Sequence, residues 1–150
     1  MRQLRRWRPA LIWLIVVVGA GAVLTWQGAG GSIWALAMLL PLAWLLSPLA
    51  FPGTVTDAAA QARAEAEPGL VRIYVRPGNL FCILLRWRLR ALARQAVWVD
   101  FWADPAAAKR VRDLNEGEEL GPVVLVDDQV KRNPPAPWVA QRLVKFTAEA

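Results

Sequence analysis

Two long uncharged runs open the chain, Pro9 to Trp26 and Ser32 to Phe51, and beyond Gly53 the pattern changes to short apolar stretches separated by charged ones. Each run approaches the roughly 20 residues that carry a helix across a bilayer. The pattern therefore predicts two membrane-spanning helices, 9–26 and 32–51, behind a basic segment, 1–8. Only Gln27 to Gly31 separate them, which is room for a turn. Pro41 falls inside the second span and predicts a kink, which a membrane helix tolerates when a neighbour covers the freed carbonyl.

Pro52-Gly53 end the second run, and 54–69 form an alanine-rich, mixed-charge stretch. Thr56 or Asp57 caps a short helix there, which Pro68-Gly69 stop near Glu67, and the stretch reads as a juxtamembrane spacer. A domain occupying 70–146 follows, with 147–150 as a tail. Leu70 to Val75 is β-branched and aromatic and reads as a strand. Pro77-Gly78 break it. Asn79 to Gln95 carry apolar residues at helical spacing, with Arg86, Arg90 and Arg94 on the solvated face. Val97 to Trp102 make a second strand, and Asp104-Pro105 open a helix through about Asn115. Pro122 to Val126 form a third strand, turned by Asp127-Asp128-Gln129 into a fourth, Val130 to Arg132. Asn133 before Pro134 caps a last helix to about Phe146. The order β-α-β-α-β-β-α requires a right-handed crossover between parallel strands and then an antiparallel hairpin. It predicts an α/β domain with a four-stranded mixed sheet and helices on both faces.

Composition agrees with a membrane segment joined to such a domain: 56% of residues are hydrophobic and nine are tryptophan. The net charge of +6 is a topology signal rather than a nucleic-acid one. Of the 18 basic residues, Arg2, Arg5, Arg6 and Arg8 precede the first span, which leaves 14 against 12 acidic ones. The positive-inside rule then places both termini and the domain on the cytoplasmic side of the cell membrane, with the lipid bilayer as the first partner. The alternative is a signal peptide with the four arginines as its n-region. The first run is long for an h-region, and cleavage would still leave the second span as an anchor. A near-neutral domain without a basic aromatic patch speaks against nucleic acid.

One cysteine excludes an intramolecular disulfide, and the absence of histidine excludes a Cys/His zinc site and any Ser-His-Asp or Cys-His arrangement. A cytoplasmic setting keeps the thiol reduced. The cysteine, Cys82, ends Arg76-Pro77-Gly78-Asn79-Leu80-Phe81-Cys82, between the first strand and the first domain helix. A dithiol Cys-x-x-Cys enzyme places its active site there, and here Asn79 stands at the first position. Asn79 cannot attack a disulfide, but it is among the best N-cap residues. Cys82 has two readings. At the third helical position, near Arg76 and Arg86, it is a redox thiol of lowered pKa. Among Phe81, Ile83, Leu84 and Leu85 it is a small buried hydrophobe. Trp98, Trp102 and Trp138 read as core, and Lys109, Arg110 and Arg112 as a solvated helix face.

The element order, together with Arg76-Pro77-Gly78-Asn79-Leu80-Phe81-Cys82, Trp98 to Pro105, Leu120-Gly121-Pro122-Val123-Val124-Leu125-Val126 and Asn133-Pro134, resembles the glutaredoxin branch of the thioredoxin fold. More narrowly it is similar to actinobacterial glutaredoxin-like proteins related to mycoredoxins, some of which carry two N-terminal membrane helices. The resemblance spans about Leu70 to Phe146. It implies that the attacking cysteine of the family falls on Asn79, the resolving cysteine on Cys82 and the cis-proline on Pro122. Gly121 then pairs through its backbone with a bound thiol substrate, and Arg76 belongs to the same binding surface. Glu116, Glu118 and Glu119 lie in a loop that in relatives borders the active-site groove, where their charge disfavours an acidic thiol. The chain departs from the family twice, with Leu120-Gly121 in place of Thr-Val and with the nucleophile absent.

The expectation is a membrane-anchored, glutaredoxin-like protein with a degenerate Asn-x-x-Cys motif and little or no reductase activity. Its groove beside Pro122 would bind a protein partner or a low-molecular-weight thiol. The rival is a single-cysteine thiol–disulfide oxidoreductase in which Cys82 forms the mixed disulfide with mycothiol or glutathione. A third class is a structural membrane subunit whose domain packs against a partner. Access to Cys82 separates the first two.

Overall fold

The computed structural model describes residues 2–28, 39–51 and 53–149. Four strands, β1 (Arg72–Val75), β2 (Val97–Asp100), β3 (Val123–Val126) and β4 (Gln129–Arg132), form one sheet in the order β2-β1-β3-β4. β1 is parallel to β2 and antiparallel to β3, and β3 and β4 make an antiparallel hairpin. This is the mixed α/β sheet that the element order predicts, and it is compatible with a thioredoxin-like fold.

Among the described residues the α-helices are α1 (Arg2–Trp26), α2 (Leu40–Leu46), α3 (Asp57–Ala66), α4 (Leu80–Leu89), α5 (Pro105–Leu114) and α6 (Ala136–Glu149). Every residue of β1, β2 and β3 is buried, because helices cover both faces of the sheet. Ile73, Val75, Trp98 and Val124 point to one side, where they pack with Cys82, Leu85 and Leu143 of α4 and α6. Tyr74, Val99, Val123 and Leu125 point to the other, against Ala60 of α3 and Val111 of α5. β4 is exposed along its length and presents Lys131 and Arg132 at the open edge, a charge pattern that discourages further strand pairing.

The stretch expected to be a spacer is part of the domain. Thr56 caps α3 by accepting from the Ala59 N–H at 3.3 Å, as anticipated. Val55 bridges to Val99 beside β2, Ala60 is completely buried, and the Asp57 carboxylate anchors a network under the sheet. Tyr74 Oη donates to Asp57 Oδ1 at 2.6 Å, Arg110 Nε donates to both carboxylate oxygens at 2.9 and 3.1 Å, and Gln61 Nε2 donates to Oδ2 at 2.8 Å. Arg110 therefore does not belong to a solvated face, whereas Lys109 does, in an exposed pair with Asp113. An alanine-rich helix looks bland in sequence because small residues carry little hydrophobic signal, even where their smallness lets the helix lie close to a sheet.

Among the described residues one helix, Trp7–Trp26 within α1, is long and apolar enough to cross a membrane. The two-span hairpin is not what the described residues form. Residues 32–38 of the second run lie outside them, and α2 is seven residues long. Pro41 sits in its first turn, where the missing N–H has no partner to lose, so it starts the helix instead of kinking it. Ser47 and a 3-10 turn at Pro48–Ala50 follow, and Phe51 is buried in the domain core, tilted against Trp98 at 6.0 Å between ring centroids. The end of the second apolar run thus serves the domain. α1 and α2 are tied together where Trp13 Nε1 donates to the Leu39 carbonyl at 3.1 Å.

Several boundaries moved, and β1 starts at Arg72 instead of Leu70. α4 ends at Leu89 because Arg90 takes φ 50°, and a 3-10 turn, Arg90–Arg94, replaces its expected last turns. Arg86 also leaves the expected solvent stripe, lying half-buried over the Phe51 and Trp98 rings at 5.6 and 4.7 Å. β2 stops at Asp100, whose Oδ1 accepts from the Trp102 and Ala103 N–H groups at 2.8 and 3.2 Å and curls the chain away. Asn133 does not cap α6. It takes φ 42° and donates its N–H to the Pro122 carbonyl at 2.8 Å, while the helix starts at Ala136.

Candidate functional site

The site region is the turn from β1 into α4. Gly78 has φ 76°, a conformation that favours glycine, and it lets the chain reverse in time for Asn79 to open the helix. Asn79 is the N-cap. Its Oδ1 accepts from the Phe81 N–H at 2.9 Å and the Cys82 N–H at 3.2 Å. The N–H groups that would face a thiolate at this helix end are therefore taken by a neutral amide oxygen.

Cys82 points inward and is 0% exposed, in the same core as Ile73, Val75 and Trp98. Burial pushes its thiol up to about 12, against a weaker downward pull from the Arg76 backbone and guanidinium, with the Asp100 carboxylate adding to the rise. A thiol in that state is neither ionised at neutral pH nor open to an attacking disulfide. Of the two sequence readings of Cys82, the buried hydrophobe describes it. Arg76 lies with its guanidinium 5.1 Å from the Trp102 ring centroid, at the mouth of the same turn. Trp98 is core, its Nε1 donating to the Ala93 carbonyl at 2.7 Å, while Trp102 and Trp138 are only half-buried.

The second stretch is Leu120-Gly121-Pro122. The Gly121–Pro122 peptide is cis. A Cβ at position 121 would stand 3.0 Å from Phe101 Cε1 and 3.3 Å from the Tyr74 carbonyl oxygen, so glycine is the residue that fits beside the fully buried Phe101 ring. Beside Pro122 lies a groove of about 490 Å³ whose lining includes Asn115, Glu116, Glu118, Leu120 and Arg132. Arg132 pairs with Glu116 at 2.7 Å, and the Arg132 hydrogen bond and charge hold the Glu116 carboxyl below its usual range. Glu119 pairs with Arg112. Asn115 is buried. Its Nδ2 donates to the Leu120 carbonyl at 2.7 Å, and its Oδ1 has no hydrogen-bond partner among the described residues.

Two residues that the sequence reading passed over shape this region. Pro9 of α1 covers the turn so closely that a Cβ at Gly78 would lie 2.6 Å from its Cβ and Cγ. Asn115 lines the groove, with its Oδ1 buried behind the wall. Neither position stands out in the hydrophobic pattern, since Pro9 reads as the start of a span and Asn115 as the end of a helix. The sequence-expected residues fall in two places: Arg76, Asn79 and Cys82 at the turn, Gly121 and Pro122 at the start of β3. As chemistry, the first place offers a capped helix end over an enclosed thiol, and the second offers hydrogen-bond acceptors around an exposed leucine.

No family model matches the chain, and no match is found among the curated proteins or the solved structures.

Proposed function

We propose that this chain is a membrane-anchored, glutaredoxin-like domain whose redox centre has become structural, and that it acts as a binding module without reductase turnover of its own. The observation that carries this reading is Asn79 at the attacking position, capping α4 above a Cys82 enclosed by core. Thiol–disulfide exchange needs a thiolate that reaches a disulfide sulfur. Asn79 has no thiol, and Cys82 has no path to one. The single-cysteine oxidoreductase using mycothiol or glutathione loses its support on the same observation.

The groove beside Pro122 is the binding surface of this reading. Its exposed Glu118 carboxylate and its exposed Leu120 suit a partner that brings N–H donors and an apolar side chain. A protein segment has both. A small acidic thiol would meet the Glu118 charge, which makes it the weaker occupant. The anchor is α1. Because Pro9, near the start of the span, lies against Gly78, the domain stands at the basic end of α1, and the positive-inside rule supports a cytoplasmic domain at the cell membrane.

The test is reduction of a mixed disulfide by the full chain in detergent, wild type beside Cys82→Ala. The reading expects both to equal the uncatalysed rate, and robust Cys82-dependent turnover overturns it.

A further inference from the structure

We infer that α4 is a membrane-surface helix, laid with an apolar stripe against the bilayer that α1 crosses. Leu80, Phe81, Leu84 and Trp87 recur at i, i+1, i+4 and i+7, so they share one face of α4, and they are 58%, 60%, 42% and 70% exposed. A contiguous stripe of that size on a domain surface marks a place of contact. The opposite face, with Cys82, Leu85 and Leu89, is in the core, so the stripe is not needed for folding.

Its position and its charge identify the occupant as lipid. The stripe lies close to the spanning helix: Gly78, two residues before Leu80, lies under Pro9 of α1, and Trp87 lines an apolar groove of about 200 Å³ with Trp44 and Leu45 of α2. Trp44 is itself 57% exposed, and tryptophans at such a level suit the boundary between headgroups and acyl chains. No aspartate or glutamate lies between Glu67 and Asp100, whereas six arginines do. Arg88, Arg90 and Arg94 of these are exposed around the stripe. An apolar face flanked by exposed arginines is the pattern of an interfacial helix on anionic lipid. A second copy of the chain docked face to face would instead bring the two arginine sets together, an electrostatically unfavourable arrangement.

The inference rests on α1 spanning the bilayer and is independent of what the groove at Pro122 binds. The experiment photolabels the unmodified full chain, reconstituted in mixed phosphatidylcholine–phosphatidylglycerol vesicles, with a diazirine-bearing phospholipid and maps adducts by peptide mass spectrometry. Adducts are expected on α1 and on residues 80–87, not on the α5 peptide holding Lys109, and they are expected to be lost from 80–87 in Leu84→Asp/Trp87→Asp while α1 stays labelled. Adducts on α1 alone in the unmodified chain, or crosslinks between copies through residues 80–87, overturn the inference. Absence of adducts from α1 as well overturns both it and the spanning helix.

Discussion

Asn79 Oδ1 accepts the backbone N–H of Cys82 at 3.2 Å, so the two ends of the Asn-x-x-Cys motif are related as cap and capped residue. The Asn-x-x-Cys segment closes a helix end, with its one sulfur on the inner side. Losing the cap should cost about 1 kcal/mol. Asn79→Ala is expected to lower the denaturation midpoint accordingly and Asn79→Asp to retain it. Urea melts of the two variants check this, and an Asn79→Ala midpoint equal to wild type contradicts the capping role.

The contact between Gly78 and Pro9 couples the anchor to the domain. Gly78→Ala meets Pro9 and also puts a side chain at positive φ, a conformation that costs about 1–2 kcal/mol by itself. The loss should be larger when Pro9 is present than in a Pro9→Gly background. A double-mutant cycle on thermal stability measures the difference, and strict additivity would mean that α1 does not rest on this turn.

Gly121 is predicted to reject a valine. Gly121→Val forces a branched side chain into the Phe101 ring and should destabilise by about 1–3 kcal/mol. Phe101→Leu in the same chain should recover part of the loss. Comparison of the single and double variants by calorimetry decides, and no recovery contradicts the packing account.

Asp57 gives the fold an acid-sensitive contact. Burial alone would raise its carboxyl, but hydrogen bonds from Arg110 and Tyr74 and the Arg110 charge outweigh burial and hold it below 3.8. A carboxyl depressed in the folded state contributes stability above its unfolded pKa and loses it as the pH falls through the lower folded value. Stability is therefore expected to drop in the acid range below about pH 4, and Asp57→Asn should flatten that slope and cost about 2 kcal/mol at neutral pH. Melting temperatures across that range test it, and parallel profiles for the two proteins would remove Asp57 from the account.

Much of the domain was legible because its strands are short, apolar and separated by turn residues, and because Asp104-Pro105 and Thr56 are strong helix openers. The misses have separate physical causes. Arg90 takes a positive φ that its residue type does not announce, so α4 was read through to Gln95 instead of ending at Leu89. Phe51 is as apolar as a membrane residue and packs instead on Trp98, which blurred the end of the second run. Asp57 and Arg110 look like ordinary surface charges until the fold brings them together beneath Tyr74. At the site, the cap could be read from Asn79 itself and the burial of Cys82 from its apolar neighbours, whereas the cover by Pro9 depends on tertiary packing that local spacing does not encode.

The central claim concerns Cys82, and alkylation of the folded full chain tests it most directly. With the thiol pushed up to about 12, roughly one molecule in 10⁵ carries a thiolate at neutral pH even before access is considered. Labelling by iodoacetamide at neutral pH should be negligible in the folded chain and rapid once denaturant is added. Stoichiometric labelling of the folded chain at neutral pH would contradict the account and return Cys82 to the role of a working redox thiol.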